Sequence, residues 1–214
     1  MAHYGIDVSS NNPHPINWVA AASYLRSLGS GGQPFAIIKV NQGVDYVNPY
    51  TQGDIAEARA AGFAVGGYNM TVGGENVSAQ QAMFSRVVGG LPEGFDTEIP
   101  NGLTLEQYAQ QTSQLLALNP KALDYLNQSE VAEGFPQGAG LWLAEYNNDP
   151  GFTSYQCTIH QYTSTGTIPG CEGQFDLNLW MDTDVAFDSF FGVTPTVAAP
   201  PPPPPYLHSP LLLS

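Results

Sequence analysis

A chain of 214 residues can bury one sizeable core but is too short for two ordinary domains. Five Lys and Arg against nineteen Asp and Glu leave a formal charge of -14, which repels nucleic-acid backbones and anionic membranes alike, so neither is expected as a partner. No apolar run reaches the roughly 20 residues that cross a bilayer, and the opening MAHYGIDVSS has neither the basic nor the apolar region of a signal peptide, so nothing directs the chain through the ordinary secretory route.

In chain order, YGIDV alternates and then meets a cluster of turn formers, which predicts a strand ending near Asp7. The spacing of Ile16, Val19, Ala20 and Leu25 predicts a helix stopped at Gly29. The pattern repeats: FAIIKV (35–40) reads as a buried strand, TQGDIAEARAAG (51–62) as a helix and FAVGGYNM (63–70) as a strand. A helix over 78–90 capped by Ser78, the strand GFDTE and a helix over 103–119 follow. Alternation of this kind points to a parallel sheet.

The segment from Lys121 to Gln137 fits no single pattern. Beyond it, 140–146, 157–164 and 173–180 read as three strands without long helices between them. From Val193 the composition changes, and Pro200 to Pro205 favour an extended polyproline rod that joins no core. The expected division is a catalytic domain over 1–192 and a proline-rich tail or linker over 193–214. Cys157 and Cys171 lack the partner ligands of a zinc site and are either one disulfide or two core thiols. No metal or cofactor is expected.

Asp7, Asp96, Glu98 and Asp176 all fall on these predicted strands, and in a β/α barrel the strand ends converge on the face that carries the active site. Residues two apart on a strand share a face, so Asp96 and Glu98 point together into that mouth while Thr97 points away. Two carboxyl groups so close disfavour double ionisation, which keeps one protonated near neutral pH. A protonated acid beside an ionised one, without a cofactor loop or a nucleophile constellation, suits cleavage of a glycosidic bond.

The blocks YGIDVSSNN, FAIIKVNQG, AAGFAVGGYNM, GFDTE, GLWLAEYN and HQYTSTGTIPGCEGQFDLNLW occur in the order of glycoside hydrolase family 25, the Chalaropsis-type lysozymes, and the chain resembles that family over about residues 4–181. The resemblance implies an α/β fold, a modified TIM-like barrel of five β/α units closed by three β-strands, and N-acetylmuramidase activity on bacterial peptidoglycan. It casts Glu98 as the general acid and Asp96 as its partner, with Asp7 and Asp176 completing an acidic cleft. Tyr68, Asn69, Trp142 and Tyr146 are the implied substrate-binding residues.

The chain departs from the family pattern at Gln42, where a glutamate is usual, at Asn69 in place of a histidine, and at His160 in place of a tryptophan. The resemblance, without a leader sequence, points to a bacteriophage lysin made in the host cytoplasm and delivered by a holin or in a virion, with the tail as a link to other virion proteins. The rivals are an inactive wall-binding module on the same barrel and a different, chitinase-like glycosidase.

Overall fold

In the computed structural model, residues 1–193 are described; the expected tail, and with it the proposed boundary at 193, falls almost wholly outside them. Five β/α units come first. They are β1 (Tyr4–Val8) with α1 (Trp18–Leu28), β2 (Phe35–Gln42) with α2 (Thr51–Ala60), β4 (Ala64–Val72) with α3 (Val77–Val88), β5 (Glu93–Ile99) with α4 (Leu105–Leu118), and β6 (Leu123–Asn127) with the short α5 (Gln128–Ala132). Strands β7 (Gly140–Ala144), β8 (Ile159–Gly166) and β9 (Phe175–Trp180) close the structure, and α6 (Asp184–Phe191) follows. A two-residue strand, β3 (Tyr46–Val47), pairs only with the end of β2.

The sheet runs β1-β9-β8-β7-β6-β5-β4-β2, and β1 pairs again with β2 to close a barrel. Its neighbours are parallel except around β9, which is antiparallel to both β8 and β1. The expected modified barrel is therefore the observed one.

The barrel interior changes character along each strand. In the parallel strands the inward positions run from apolar to polar: Phe35 and Ile37 lead to Lys39, Gly94 to Asp96 and Glu98, and Ile159 to Gln161. In β9 the order reverses, with Asp176 and Asn178 before Trp180, because the strand runs the other way. All polar ends thus meet at one mouth, and the opposite end is a packed apolar floor. Gly5 is needed in that floor, since a Cβ there would lie 2.5 Å from the Phe35 ring.

Helix α6, which the sequence pattern did not predict, closes the floor from below. Phe187 is fully buried, stacks on His3 at 3.8 Å and meets Phe35 and Trp180 edge to face. The unassigned stretch 121–137 resolves into β6 and α5; Asp124 and Asn127 interrupt the apolar run that would otherwise mark β6. Helix α3 is capped by Asn76, whose side chain accepts from the Ala79 N–H at 2.8 Å, and not by Ser78, which lies inside the first turn. Cys157 and Cys171 are free thiols, and burial pushes Cys157 up to about 11. Among the described residues, no helix is long and apolar enough to cross a membrane.

Candidate active site

The mouth is built on the closing seam of the barrel. Asp7 of β1 and Asp176 of β9 are direct antiparallel partners, so their side chains emerge side by side. Asp7 is buried and accepts from the side-chain amides of Gln161 and Asn178, both at 2.7 Å. Burial, and then the neighbouring Asp176, nevertheless hold its carboxyl well above the usual range. Asp176 is only half-buried; burial and Glu98 raise it to about 6, so at neutral pH it is mostly ionised.

Across the mouth, Asp96 and Glu98 share one face of β5 and lie within hydrogen-bonding reach of each other. Asp96 is 6% exposed, and burial followed by the Glu98 charge raises it strongly. Glu98 stands at the rim with one side in solvent, and desolvation by the walls also raises its carboxyl, against the pull of the Asp96 hydrogen bond and Lys39. One proton shared by this pair is what its geometry favours.

The outer face of β5 explains why the DTE segment sits still. Thr71 donates to the Asp96 carbonyl at 3.1 Å, and Thr97, pointing outward as expected, donates to the Tyr125 carbonyl at 3.2 Å. The β4–β5 ladder shifts register between Met70 and Val72, and there the buried Tyr108 hydroxyl takes over, donating to the Thr71 carbonyl and accepting from the Ile99 N–H. The carboxyl pair is therefore mounted on a pinned backbone.

Tyr68 is buried in the mouth, its phenol raised by burial and then by Asp96. Behind it, a hydrogen-bonded chain links the two walls: the Tyr146 and Tyr125 hydroxyls lie 3.2 Å apart, Tyr125 donates to Gln161, Gln161 and Asn178 donate to Asp7, and the Trp142 indole donates to Asn178 at 2.8 Å. Tyr146 is 55% exposed and offers its ring to a ligand.

The family model described as glycosyl hydrolases family 25 matches residues 6–171, which span all of these strands up to β8. The chain belongs to that family. It is accordingly a glycoside hydrolase. Solved structures of the same fold include the bacterial lysozyme of Streptomyces coelicolor, with TM-score 0.74 and 22% identity over 91% of this chain and 99% of that one. Muramidase from Trichobolus zukalii aligns with TM-score 0.72 and 22% identity, covering 90% and 100% of the two chains. The catalytic domain of endolysin ply40, from bacteriophage P40 of Listeria monocytogenes, aligns with TM-score 0.65 and 16% identity over 90% and 98%. At such identities these likenesses speak for the fold alone. Among curated proteins none matches significantly.

In this family 25 enzyme the structure brings Asp7, Asp96, Glu98, Asp176 and Tyr68 together and places Tyr146 at their edge. Two expected substrate contacts, Trp142 and Asn69, lie away from the open mouth. Trp142 is 2% exposed and forms the floor beneath Tyr68 and Tyr125, and its indole N–H is already taken by Asn178. Asn69 is fully buried on the face of β4 opposite Tyr68, where its side-chain oxygen accepts from Asn41. His160 is buried in β8, with its ring nitrogens 3.0 Å from the Glu145 carbonyl and 3.2 Å from the Pro150 carbonyl.

Lys39, Tyr125, Gln161 and Asn178 escaped the sequence reading. Asn178 carried a usable signal, since the two-residue period that joins Glu98 to Asp96 also joins Asn178 to Asp176. Lys39 carried one too, as a lone charge in the apolar run FAIIKV. A cavity of about 570 Å³ between α6 and the entering ends of β5 and β6 holds none of the mouth acids and lies at the wrong end of the barrel for them.

Proposed function

We propose that the chain is a lysozyme, an N-acetylmuramidase that hydrolyses the β-1,4 bond following N-acetylmuramic acid in bacterial peptidoglycan. The observation that carries this is the Asp96–Glu98 pair at the barrel mouth: one carboxyl buried, the other open to solvent, both raised, and both within reach of a shared proton. The lysozyme and muramidase among the structural neighbours supply the substrate class.

Glu98 is the group that a glycosidic oxygen can reach, so it acts as the general acid and gives its proton to the leaving oxygen. Asp96 holds the Glu98 carboxyl from a buried position, and its own Oδ1 has no protein partner among the described residues. Asp176, ionised at neutral pH, faces the positive charge that develops at the anomeric carbon. Asp7, held by two amides, fixes the geometry of that wall, and Tyr146 offers a ring face to a neighbouring sugar.

Purified peptidoglycan incubated with the enzyme is expected to release fragments ending in reducing N-acetylmuramic acid, identified by mass spectrometry. Fragments ending in reducing N-acetylglucosamine, or no release by folded protein from several wall types, would overturn the proposal. The two endolysins among the neighbours support delivery as a bacteriophage lysin, released through a holin or carried in the virion, with residues 193–214 as the link to other virion proteins. Mass spectrometry of purified virions separates the two routes, since a holin-released enzyme is absent from them.

A further inference from the structure

We propose that Lys39 is the charge that sets the working pH of the Asp96–Glu98 pair, and that Gln42, by holding the ammonium without neutralising it, reserves that charge for the pair. The inference rests on the glycosidase reading of the same site and adds a positioning residue to it.

Lys39 points into the mouth from β2 and is 6% exposed. Of the chain's five basic residues it alone belongs to the mouth: Arg26, Arg59 and Arg86 lie on the outer helices, and Lys121 borders the cavity at the opposite end. Burying a lone ammonium is costly unless something holds it. What holds it here is neutral. Its Nζ donates to Gln42 Oε1 at 2.9 Å and to Met70 Sδ at 3.1 Å, and among the described residues it makes no direct ion pair.

Met70 is the register partner of Asp96, so the side chain reaches across β4 toward β5. The titratable groups around it are Asp96 and Glu98 from β5, Tyr68 from β4 and the Tyr46 ring of β3, whose centroid is 5.7 Å from Nζ. Glu75, in the loop after β4, is occupied by the Val44 N–H beyond Gln42. Asp7 and Asp176, partners on β1 and β9, are not among the groups that act on Lys39; they feel the pair itself, Asp176 through Glu98 and Asp7 through Asp96.

The division of charge follows from chemistry. An ammonium has three protons; two are spent on neutral acceptors, and no carboxylate cancels the charge at short range. Its field therefore falls on the nearest anions, and it is Asp96 and Glu98 whose carboxyls it pulls down against burial. A glutamate in place of Gln42 would satisfy the same hydrogen bond and cancel the field.

The test uses the full-length chain with Lys39→Met and Gln42→Glu. Two readouts are taken: NMR titration of the Asp and Glu side-chain carboxyl carbons without substrate, and the pH dependence of kcat/KM on peptidoglycan. In Lys39→Met the titrations of the pair are expected to rise by about one pH unit or more, with both limbs of the rate profile moving up together. Gln42→Glu should move both readouts the same way by less, and it decides the matter should Lys39→Met fail to fold. Rates that fall with the profile and titrations unmoved would overturn the proposal and leave Lys39 a packing role. Titrations that move while the wild type releases no sugar would sustain the role of Lys39 and instead overturn the glycosidase reading.

Discussion

Glu98→Gln is expected to reduce the release of reducing ends from peptidoglycan by about 10²- to 10⁴-fold, the usual contribution of a general acid, without loss of fold. The amide keeps the shape of the side chain and its place at the rim, but it has no proton of suitable acidity to give. Folding should not suffer, because desolvation raises the Glu98 carboxyl above its ordinary value. A raised acid stabilises the fold below the unfolded pKa and loses that contribution as pH rises through the folded one, so at neutral pH its removal relieves the fold.

The variant carries a second signature. The Glu98 charge is the largest electrostatic cause of the raised Asp96 carboxyl, so in Glu98→Gln the Asp96 titration should fall toward its ordinary range. Activity assays with thermal melts at matched pH check the first statement, and carboxyl NMR checks the second. A variant that kept more than about a tenth of wild-type activity would remove Glu98 from the acid's role.

The parts of this molecule legible from sequence were those where one period dominates. Strands such as FAIIKV and the D-x-E step of β5 declare their faces, and four strand–helix pairs in succession point to a parallel sheet, while the fifth unit and the barrel closure came only with the family resemblance. The obscure parts are those whose partners are distant in the chain. Asp7 meets Asp176, Gln161 and Asn178 only because β1 closes the barrel against β9, and nothing local to GIDVS announces that. The surroundings of Asn69 were hidden for a related reason: next to Tyr68 in sequence, it lies on the other face of the strand, against Asn41. Helix α6 was missed because its eight residues, DVAFDSFF, make little more than two turns, too short a window for a 3.6-residue period to declare itself.

Asp124 is a buried acid that the chemistry leaves unused and that no hydrogen bond among the described residues holds, and replacing it is expected to stabilise the protein. It sits in β6 between Phe95 and Leu141, fully buried, and neither carboxylate oxygen has a hydrogen-bond partner among the described residues. Burial, followed by Glu130 and Asp96, holds its pKa well above the ordinary 3.8. With the folded pKa above the unfolded one, the fold has its full stability from this group only below about pH 3.8 and loses it progressively as pH rises.

Asp124→Asn, which keeps the shape and cannot ionise, should therefore match the wild type near pH 4 and melt higher at pH 7. Asp124→Leu, which also removes the unpaired polar atoms, should add about 1–3 kcal/mol at pH 7, or about 2–4 °C for each kcal/mol in a domain of this size. Melting curves across pH 4 to 8 supply the comparison. Were both variants less stable than the wild type at pH 7, the carboxyl would have to be bonded within the core, and its place between β5 and β7 would be a polar link holding the catalytic strand to its neighbour.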